Sequence, residues 1–252
     1  MITYRSFDLN GRSALVTGAG RGLGAAIAQG LAAAGAKTYV LSRNSSQLNE
    51  LAESINAGGG HAQPVVCDIT DPQAVQAALD AIDQLDILVN NAGTNIPADF
   101  VDVTPAQLDE LLLLNVRAVF LTAQAAARKI MGNGNGGSII NISSQMGHVG
   151  AVRRSVYCMS KHAVEGLTKS MALELATHNI RVNTVAPTFV QTPMTEAFFK
   201  EESFRDWVMQ RLPMGRLLPA EDVAAAVCYL ASPAAAMITG ASLKLDGGWT
   251  AQ

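Results

Sequence analysis

Short apolar runs alternate with longer mixed segments along most of the chain. Seven of these runs have the length and aliphatic content that are typical of buried strands: residues 14–16, 37–41, 62–66, 87–90, 138–142, 182–185 and 242–245. The segments between them are long enough to form helices. This alternation predicts an α/β fold, in which a doubly wound parallel sheet of about seven strands carries helices on both faces as a three-layer sandwich.

Two of the predicted helices have marked starts. Thr104 is followed by Pro105 and then by Gln107 at the third helical position, which is the pattern of a capping box with proline at the first position. Asp71 followed by Pro72 marks a second start. We therefore expect helices to begin at these two positions.

Composition and charge narrow the range of functions. The 252 residues are 49% hydrophobic and have a net charge of -3, with charged residues making up only 15% of the chain. A chain of this length and composition can form one domain that spans residues 1–252. No cluster of lysine and arginine marks a surface for nucleic acid or for an anionic membrane, so neither is an expected partner.

The cysteines bear on the cellular compartment. Cys67, Cys158 and Cys228 are odd in number and far apart, so the sequence predicts no disulfide framework and no metal site. The N-terminus lacks a basic segment followed by an apolar one, and we expect a cytoplasmic protein.

Residues 223–243 carry no formal charge, but a proline and a glycine interrupt them, which favours a helix, a turn and a buried strand over a membrane span.

Candidate chemistry lies where the predicted strands end. In an open parallel sheet, ligands bind beyond the carboxyl ends of the strands. Candidate residues follow six of the seven predicted strands: 18–24, Arg43, Asp68, 90–93, Ser144 and Pro187. One edge of the sheet is therefore expected to hold the functional site.

A glycine-rich turn, TGAGRGLG, runs from Thr17 to Gly24 between the first strand and the first helix. Glycine lets the backbone approach a pyrophosphate closely, and the following helix presents unpaired N–H groups and the positive end of its dipole. The spacing departs from GxGxxG, since Leu23 takes the place of the third glycine, but it fits TGxxxGxG. Taken alone, such a turn could equally serve only to pack strand and helix tightly.

Tyr157 and Lys161 are four residues apart and would face the same way on a helix. A tyrosine hydroxyl has an ordinary pKa of about 10, and an ammonium group about 4 Å away is worth about 4 kcal/mol at an effective dielectric constant of about 20. We therefore expect Lys161 to lower the pKa of Tyr157 by about two to three pH units, which suits a general acid or base. By themselves, the two could be a solvated lysine beside a half-buried ring, and Ser144 a serine that caps a turn.

These motifs occur together with others in one order along the chain. The further motifs are CDIT around Asp68, NNAG at 90–93, Asn115 in LLNVRAVF, NISS ending at Ser144, RVNTVAP at 181–187 and LDGG at 245–248. From about residue 11 to residue 248, the sequence resembles the short-chain dehydrogenase/reductase family. The resemblance implies a Rossmann-like sheet and a NAD(P)-dependent oxidoreductase that interconverts a secondary alcohol and a ketone by hydride transfer.

The resemblance implies a catalytic role for four residues. Tyr157 would exchange the proton, Lys161 would lower the pKa of Tyr157 and hold the nicotinamide ribose, and Ser144 would hydrogen-bond the reacting oxygen. Asn115 would hold a water in a proton relay. For Asn115, the alternative is a mid-helix residue that satisfies nearby backbone.

The implied cofactor contacts are spread over all the strand ends. They are Gly18, Gly20, Arg21, Gly22, Leu23, Gly24, Ser42, Arg43, Asp68, Ile69, Asn91, Ala92, Gly93, Tyr157, Lys161, Pro187, Val190 and Thr192. Asp68 and Ile69 would contact the adenine, and Val190 the nicotinamide amide. Thr188 stands where the family usually has a glycine, and its side chain would alter the loop over the nicotinamide.

The residues after the second strand bear on the choice between NAD and NADP. Ser42 stands where a carboxylate would hold an adenosine 2′-hydroxyl, and Arg43 follows it. Arg43 and Arg21 could both pair with a 2′-phosphate, which favours NADP slightly. The alternative is that Arg43 stacks over the adenine, with NAD equally suitable, and that Arg21 is a solvated loop charge.

The segment 145–155, between the catalytic serine and tyrosine, is expected to border the substrate pocket. Arg153 and Arg154 are adjacent, and a guanidinium binds a carboxylate in bidentate fashion, although a solvated pair is the alternative. They predict a small anionic substrate, such as a sugar acid or a 2-keto-3-deoxy acid. The predicted substrate contacts are Ser144, Gln145, His148, Arg153, Arg154 and Tyr157. The alternative functions are a 3-oxoacyl carrier-protein reductase and a non-catalytic dinucleotide sensor or scaffold.

The sequence also leads to predictions for residues 191–215 and for the C-terminal tail. Residues 191–215 resemble the family's small substrate lid, although Phe198, Phe199, Phe204 and Trp207 could equally be ordinary packing residues. Family members commonly form dimers or tetramers through their long helices, so we expect a homo-oligomer. Trp249 is expected to be exposed and, with the tail that follows it, to reach across such an interface toward a neighbour's pocket.

Overall fold

Seven parallel strands form one sheet in the order β3-β2-β1-β4-β5-β6-β7. The computed structural model describes residues 6–191 and 199–251. The strands are β1 (Ser13–Thr17), β2 (Lys37–Ser42), β3 (His61–Val66), β4 (Ile87–Asn90), β5 (Gly137–Ile142), β6 (Ile180–Pro187) and β7 (Ser242–Leu245). The predicted doubly wound parallel sheet is therefore confirmed.

Helices connect the strands and cover the sheet. They are α1 (Gly22–Ala33), α2 (Ser45–Ala57), α3 (Pro72–Asp80), α4 (Pro105–Leu112), α5 (Val119–Asn133), α6 (Ser155–Leu175), α7 (Glu202–Met209) and α8 (Ala220–Ala231). The Thr104 hydroxyl accepts from the N–H of Gln107, and the Gln107 side chain accepts in return from the N–H of Thr104. Asp71 accepts from two N–H groups of α3. Both helix starts are thus as predicted.

Two hydrophobic cores lie on the opposite faces of the sheet. Side chains alternate along β1, so that Ala14 and Val16 pack with α1, α2 and α8, whereas Leu15 packs with α3, α5 and α6. The strand therefore contributes to both helical layers. This arrangement leaves the strand ends, rather than the sheet faces, open to a ligand.

The longest helical stretch is Pro105–Asn133, in which a π-helical segment (Leu113–Ala118) joins α4 to α5. By length and composition it is the one helix of the described chain that could span a membrane, with a mean hydropathy of 1.3 over its most apolar window. Its buried side, with Ala123, Ala126 and Ile130, belongs to the core on one face of the sheet. Burial against the sheet accounts for its apolar character.

Candidate active site

The chain turns from β1 into α1 at the point where the order of the strands reverses. β1 lies between β2 and β4, so successive connections leave the sheet in opposite directions and open a crevice beyond Thr17. Gly18 and Gly22 have φ angles of 64° and 58°, which other residues rarely adopt. A Cβ at Gly24 would overlap the carbonyl oxygen of Gly18. The turn and the helix can therefore approach each other only with glycine at these places.

The first turn of α1 has the arrangement that an anion needs. Arg21 occupies the N-cap with an extended backbone and makes no side-chain cap, so the first N–H groups remain donors at the positive end of the helix dipole. A Cβ at Gly20 would lie 2.9 Å from Gln47 Oε1 and 3.0 Å from Ser42 Oγ. The pyrophosphate of a dinucleotide fits this backbone cradle, which supports the contacts predicted between residues 18 and 24.

Asn91 holds the glycine turn against the end of β4. Its Nδ2 donates to the carbonyl oxygens of Thr17 at 2.9 Å and Gly18 at 3.2 Å. The backbone N–H groups of Asn91 and Ala92 each donate to Thr17 Oγ1 at 3.1 Å. The Asn91 side chain is thus bound within the protein. A Cβ at the neighbouring Gly93 would lie 3.1 Å from Asn115 Oδ1 and 3.8 Å from Lys161 Nζ, which joins this turn to the predicted catalytic residues.

The predicted adenine end lies at the tips of β2 and β3. Asp68 Oδ1 accepts from the N–H and the hydroxyl of Thr70 at 2.9 and 2.8 Å, and the backbone hydrogen bond is the main reason that the pKa of Asp68 lies below its ordinary value. Arg43 Nη1 lies 3.7 Å from Asp68 Oδ2, with its side chain 80% exposed. Ile69 is buried beside them. Since Ser42 supplies no carboxylate, this end is compatible with a 2′-phosphate.

The structure brings the four predicted catalytic residues together from three elements. Ser144 follows β5, Tyr157 and Lys161 lie on α6, and Asn115 lies in the π-helical segment. Lys161 Nζ donates to the carbonyl oxygen of Ile142 at 2.8 Å and lies 5.6 Å from the centre of the Tyr157 ring. The group therefore converges at the carboxyl end of β5.

Ser144 is buried and fully hydrogen-bonded. Its Oγ donates to Gln145 Oε1 at 2.9 Å and accepts from the N–H of Met146 at 3.1 Å. A hydrogen bond between Ser144 and the Tyr157 hydroxyl lowers the pKa of Tyr157. The serine hydroxyl therefore contacts both the phenol and the residue that follows it in the loop.

The expectation that Tyr157 has a lowered pKa is wrong for this structure. Burial of the hydroxyl raises the pKa of Tyr157 above its ordinary value, and the opposing effects of Ser144 and Arg154 are smaller than that of burial. The Lys161 ammonium is directed at the carbonyl oxygen of Ile142, and burial lowers the pKa of Lys161 to about 8, against the attraction of Glu165. The Tyr157 hydroxyl is therefore placed to act as an acid.

Asn115 is buried and binds backbone from within the helix. Its Oδ1 accepts from the N–H of Thr94 at 2.9 Å, and its Nδ2 donates to the Thr94 carbonyl oxygen at 2.8 Å and to Ser160 Oγ at 3.2 Å. Ser160 Oγ in turn donates to the carbonyl oxygen of Tyr157 at 2.8 Å. Asn115 thus hydrogen-bonds the nearby backbone groups of Thr94, which agrees with the alternative interpretation, and it also contacts the helix that carries Tyr157. The proton relay stays a prediction.

The two adjacent arginines of the loop lie in different surroundings. Arg153, with a φ angle of 60°, has its Nε 3.6 Å from Asp99 Oδ1 and its side chain 57% exposed. Arg154 is half-buried, so that burial lowers the pKa of Arg154, while the attraction of Tyr157 raises it. Its one hydrogen bond to another described residue joins Nη1 to the carbonyl oxygen of Arg153 at 3.1 Å. Arg153 is therefore paired with Asp99 at the surface, whereas Arg154 interacts electrostatically with Tyr157, and the substrate contacts of both stay predictions.

The His148 ring lies beside β7, and the substrate contact predicted for it stays a prediction. The ring Nε2 lies 2.9 Å from Ser242 Oγ and 3.2 Å from Glu165 Oε1, next to β7. The backbone turn after β5 fixes this direction, since the N–H of His148 donates to the carbonyl oxygen of Gln145 at 3.0 Å. The ring belongs to a polar cluster beside α6.

An aromatic wall comes from a distant part of the chain, and sequence reasoning missed it. The Trp249 ring lies 5.6 Å from the Trp207 ring and 5.7 Å from the Phe189 ring, measured between centroids. Phe204 stacks on Trp207 at 6.0 Å, and Arg211 Cζ lies 4.4 Å from the centre of the Trp207 ring. Trp249 therefore packs within its own chain rather than lying exposed, and its reach toward a neighbour stays a prediction.

A cavity of about 270 Å³ separates this aromatic wall from the loop after β5. Its lining consists of Gln145, Met146, Val149, Gly150, Ala151, Val152, Trp207, Arg211 and Trp249. Because Gln145 is hydrogen-bonded to Ser144, the cavity begins next to the catalytic serine. A larger cavity of about 350 Å³ lies beside α8, and none of the four predicted catalytic residues lines either cavity.

The remaining predicted contacts lie around the end of β6. Pro187 ends the strand, and Val190 is buried and pairs with Leu218. Thr192 and Phe198 lie outside the described residues. An aromatic residue near a helix or a chain end is too common a signal to have identified the wall from the sequence.

Comparison with known proteins agrees with this geometry. A family model described as enoyl-(acyl carrier protein) reductase matches residues 18–250. The L-xylulose reductase of Bos taurus is 39% identical over 96% of this chain and 98% of its own length.

Two solved structures extend the likeness to the fold. A protein of Agrobacterium tumefaciens assigned as a 2-deoxy-D-gluconate 3-dehydrogenase, with bound NADP, is 41% identical at a TM-score of 0.93, over 98% of this chain and 99% of that one. A gluconate 5-dehydrogenase from Burkholderia cenocepacia J2315, in complex with NADP and tartrate, is 36% identical at a TM-score of 0.94, over 98% of both chains. With its glycine turn at the switch of the sheet and Ser144, Tyr157 and Lys161 gathered beyond β5, the chain belongs to the short-chain dehydrogenase/reductase family.

Proposed function

We propose that this protein is a NAD(P)-dependent oxidoreductase that interconverts a secondary alcohol and a ketone. The observation that carries the proposal is the convergence of Ser144, Tyr157 and Lys161 beside the crevice, with the phenol hydrogen-bonded to the serine. A nicotinamide cofactor, when bound, supplies or accepts the hydride. A non-catalytic sensor or scaffold has no need of such a group, so an enzyme is favoured.

The proton chemistry follows from the surroundings of Tyr157. In the direction of reduction, Tyr157 donates its proton to the substrate oxygen as that oxygen gains negative charge, and burial keeps this proton in place until then by raising the pKa of Tyr157. Ser144 turns its hydroxyl from Gln145 to the same oxygen, so its hydrogen bond strengthens in the transition state. The charge of Lys161 stabilises the phenolate that remains. Oxidation runs through the same groups in reverse.

NADP is the cofactor that the adenine end favours. Ser42 leaves the 2′ position without a carboxylate, and Arg43 is exposed and only 3.7 Å from Asp68, so its guanidinium can turn to a 2′-phosphate. The backbone of residues 18–24 would hold the pyrophosphate, and Lys161 the nicotinamide ribose. Relatives with bound NADP support this choice.

The proposed substrate is a small polyol or keto acid with a carboxylate, such as a sugar acid. Three donors support an anion beside the reacting carbon: the Arg154 guanidinium near Tyr157, Arg211 on the cavity wall, and Gln145 at its floor. The cavity of about 270 Å³ is small for a long acyl chain. Relatives named for gluconate and deoxygluconate support the same class.

The experiment that tests the function is a substrate panel with the purified protein. Gluconate, 2-deoxygluconate and L-xylulose would be assayed with NADP, NADPH, NAD and NADH, beside acetoacetyl thioesters. Turnover of a sugar acid with NADP or NADPH is the expected result. No turnover of any sugar or sugar acid would contradict the proposal, and activity confined to thioesters would point to the carrier-protein alternative.

The adjacent arginines offer a matched pair for the substrate class. Arg154→Ala should raise the KM for a sugar acid by about tenfold or more, because a charged hydrogen bond to the carboxylate is lost. It should leave the KM for neutral L-xylulose within about twofold. Arg153→Ala, which removes an exposed guanidinium paired with Asp99, is the control and should change neither KM. Equal effects of the two substitutions would contradict the role of Arg154.

Reduction of an acyl group on a carrier protein is the rival function within the same fold. Its one support is the description of the matching family model. An acidic carrier protein needs a basic surface, whereas the chain has a net charge of -3, and both Arg43 and Arg153 lie beside an aspartate. These observations favour the small-molecule substrate.

A homo-oligomer built on α5 and α6 is part of the proposal. Phe120 on α5 and Met159 on α6 are each nearly half exposed, and Leu173 on α6 is 81% exposed. Exposed apolar side chains in a row on packed helices are typical of a protein interface. Light scattering of the parent and of Leu173→Lys checks this, with a smaller assembly expected for the variant. The cytoplasmic location stays a prediction.

A further inference from the structure

A buried carboxylate lies one helical turn beyond the catalytic lysine and has no part in the mechanism above. Glu165 on α6 is only 6% exposed. Its Oε2 accepts from the Thr184 hydroxyl at 3.0 Å, and its Oε1 accepts from the Ser242 hydroxyl at 3.2 Å and lies 3.2 Å from His148 Nε2. Groups from β6, β7 and the turn after β5 therefore converge on this one side chain.

Burying an ionised carboxylate such as that of Glu165 costs free energy, because the charge loses its contact with water. An ionised carboxylate in the interior persists only where hydrogen bonds and a counter-charge compensate for lost water. Thr184 and Ser242 provide the hydrogen bonds, and His148 Nε2 lies 3.2 Å from the carboxylate. The buried positive charge next to Glu165 along α6 is Lys161, four residues earlier and on the same side of the helix.

Lys161 needs a counter-charge as much as Glu165 does. Its ammonium is buried, and its one hydrogen bond to a described residue goes to the carbonyl oxygen of Ile142. Burial lowers the pKa of Lys161 to about 8, and the attraction of Glu165 is what opposes that effect. Without Glu165, the lysine would lose its proton more readily.

The packing of the loop after β5 depends on the same carboxylate. A Cβ at Gly147 would lie 3.2 Å from Glu165 Cγ and 2.8 Å from Ser143 Oγ. Gly147 therefore lets the turn that carries Ser144 and Gln145 lie directly on Glu165. A single side chain thus contacts the loop of the catalytic serine and lies one helical turn from the catalytic lysine.

We propose that Glu165 is a positioning residue of the active site: held by Thr184, Ser242 and His148, its carboxylate keeps the Lys161 side chain charged. The proposal rests on the proposed function in that Lys161 acts on Tyr157 and on the cofactor ribose. In this role, Glu165 supports the charge of Lys161 and is a fifth residue that contributes to the site, beside the four predicted catalytic residues.

Other titratable groups around Glu165 are few. His148 faces it from the turn after β5 and Lys161 from its own helix, while the groups from β6 and β7 are hydroxyls that do not titrate in the working range. Lys244, two residues beyond Ser242, acts on Asp246 instead. Because His148 Nε2 lies 3.2 Å from Glu165 Oε1, His148→Gln is measured beside the main variant.

The test is Glu165→Gln, which keeps the size of the side chain, removes its charge and turns one accepting oxygen into a donating amide. The alkaline limb of the pH profile of kcat/KM should move to lower pH by about one unit, which is the effect of one nearby buried charge. The dissociation constant of NADPH, followed by fluorescence from pH 6 to 10, should weaken along the same shifted curve. Glu174→Gln on the same helix, an exposed carboxylate bound to Ser170, is the control and should shift neither curve.

A merely structural role gives a different pattern. Ser242→Ala and His148→Gln each remove a partner of Glu165 but leave its charge, so they should lower the Tm with the alkaline limb moved by less than about a third of a unit. Glu165→Asp should restore most of the parent profile, since it restores the charge. If Glu165→Gln lowers the Tm and leaves the limb in place, the proposal is overturned.

A double variant covers the case in which Glu165→Gln does not fold. In Lys161→Met, the carboxylate loses its counter-charge, so adding Glu165→Gln should raise the Tm, whereas a further fall would overturn the proposal. The NADPH titration and the Tm need no substrate. They therefore remain readable if the substrate panel fails, which separates the failure of the proposed function from that of Glu165.

Discussion

The two sides of the crevice are built in different ways. The cofactor side consists mainly of backbone: the glycine turn after β1, the N–H groups at the start of α1, and the end of β4 tied to Thr17 by Asn91. The substrate side consists of side chains that are far apart in the chain. Gln145 follows β5, Trp207 lies on α7, and Trp249 lies three residues before the end.

The difference predicts how each side responds to substitution. A backbone site depends on φ angles and close approach, so few residues are tolerated there, and a change should impair every substrate alike. A side-chain site depends on which groups the fold brings together, so a change should distinguish one substrate from another. The catalytic residues lie between the cofactor side and the substrate side, so their substitution should lower turnover with every cofactor and every substrate.

The largest effect is expected for Tyr157→Phe. Turnover should fall by about 10³-fold or more, because Tyr157 is the group that donates the proton, while NADPH affinity stays within about twofold. Steady-state kinetics and a fluorescence titration measure the two quantities. Ser144→Ala should lose about 10²-fold. If Tyr157→Phe keeps more than about a tenth of the activity, the acid is another group.

Gly24→Ala tests the backbone side. The new Cβ would overlap the carbonyl oxygen of Gly18, so the turn must open, and NADPH affinity should fall by about 30-fold or more with a lower Tm. Gly132→Ala is the control, since a Cβ at Gly132 meets no atom within 4 Å. Loss of affinity in both variants, or in neither, would contradict the backbone cradle.

The pH profile tests the catalytic group that both sides share. Burial holds the pKa of Lys161 below its ordinary value, at about 8, so the lysine is charged below that pH and loses its charge as the pH rises through it. The rate of reduction should be halved near pH 8 and fall to about a tenth by pH 9, for every substrate alike. A rate that is constant up to pH 10 would contradict this role.

Trp207→Ala tests the side-chain wall. The KM should rise by about five- to tenfold, because the cavity loses an aromatic face that also supports Trp249. NADPH affinity and kcat should change by less than about twofold. Met237→Ala, at a side chain that is 94% exposed, serves as the control. An equal fall in cofactor affinity would mean that the wall does not belong to the substrate side.

The smallest effect is expected at Arg43. Arg43→Ala should weaken NADPH binding by about fivefold and leave NADH binding unchanged, because an exposed ion pair contributes little in water. Titration of both cofactors measures the ratio. A parent protein that prefers NADH would instead identify Arg43 as a stacking residue.

Most of the fold could be predicted because its signals are local. All seven strands lie on the apolar runs, and Thr104 and Asp71 cap the helices that they were predicted to cap. β6 extends two residues beyond each predicted end, since the added residues pair only in the folded sheet. Ile180 pairs with Gly137 of β5, and Pro187 pairs with Leu245 of β7.

The catalytic residues could be named from spacing, but their electrostatics could not. Tyr157 and Lys161 are one helical turn apart in any α-helix, so the sequence predicts their proximity. The pKa of Tyr157 depends on burial by segments remote in sequence, and the direction of Lys161 depends on Ile142 at the end of β5. The lowered pKa expected for the phenol therefore had the wrong sign.

By itself, the sequence determined the order of strands and helices, the glycine turn and the spacing of the catalytic residues, because these depend on backbone geometry over a few residues. Only the tertiary structure decided that Arg154 and not Arg153 lies near Tyr157, that His148 joins Glu165, and that the aromatic wall closes the cavity. Those outcomes depend on burial and on distances between residues far apart in the chain, which no local pattern encodes.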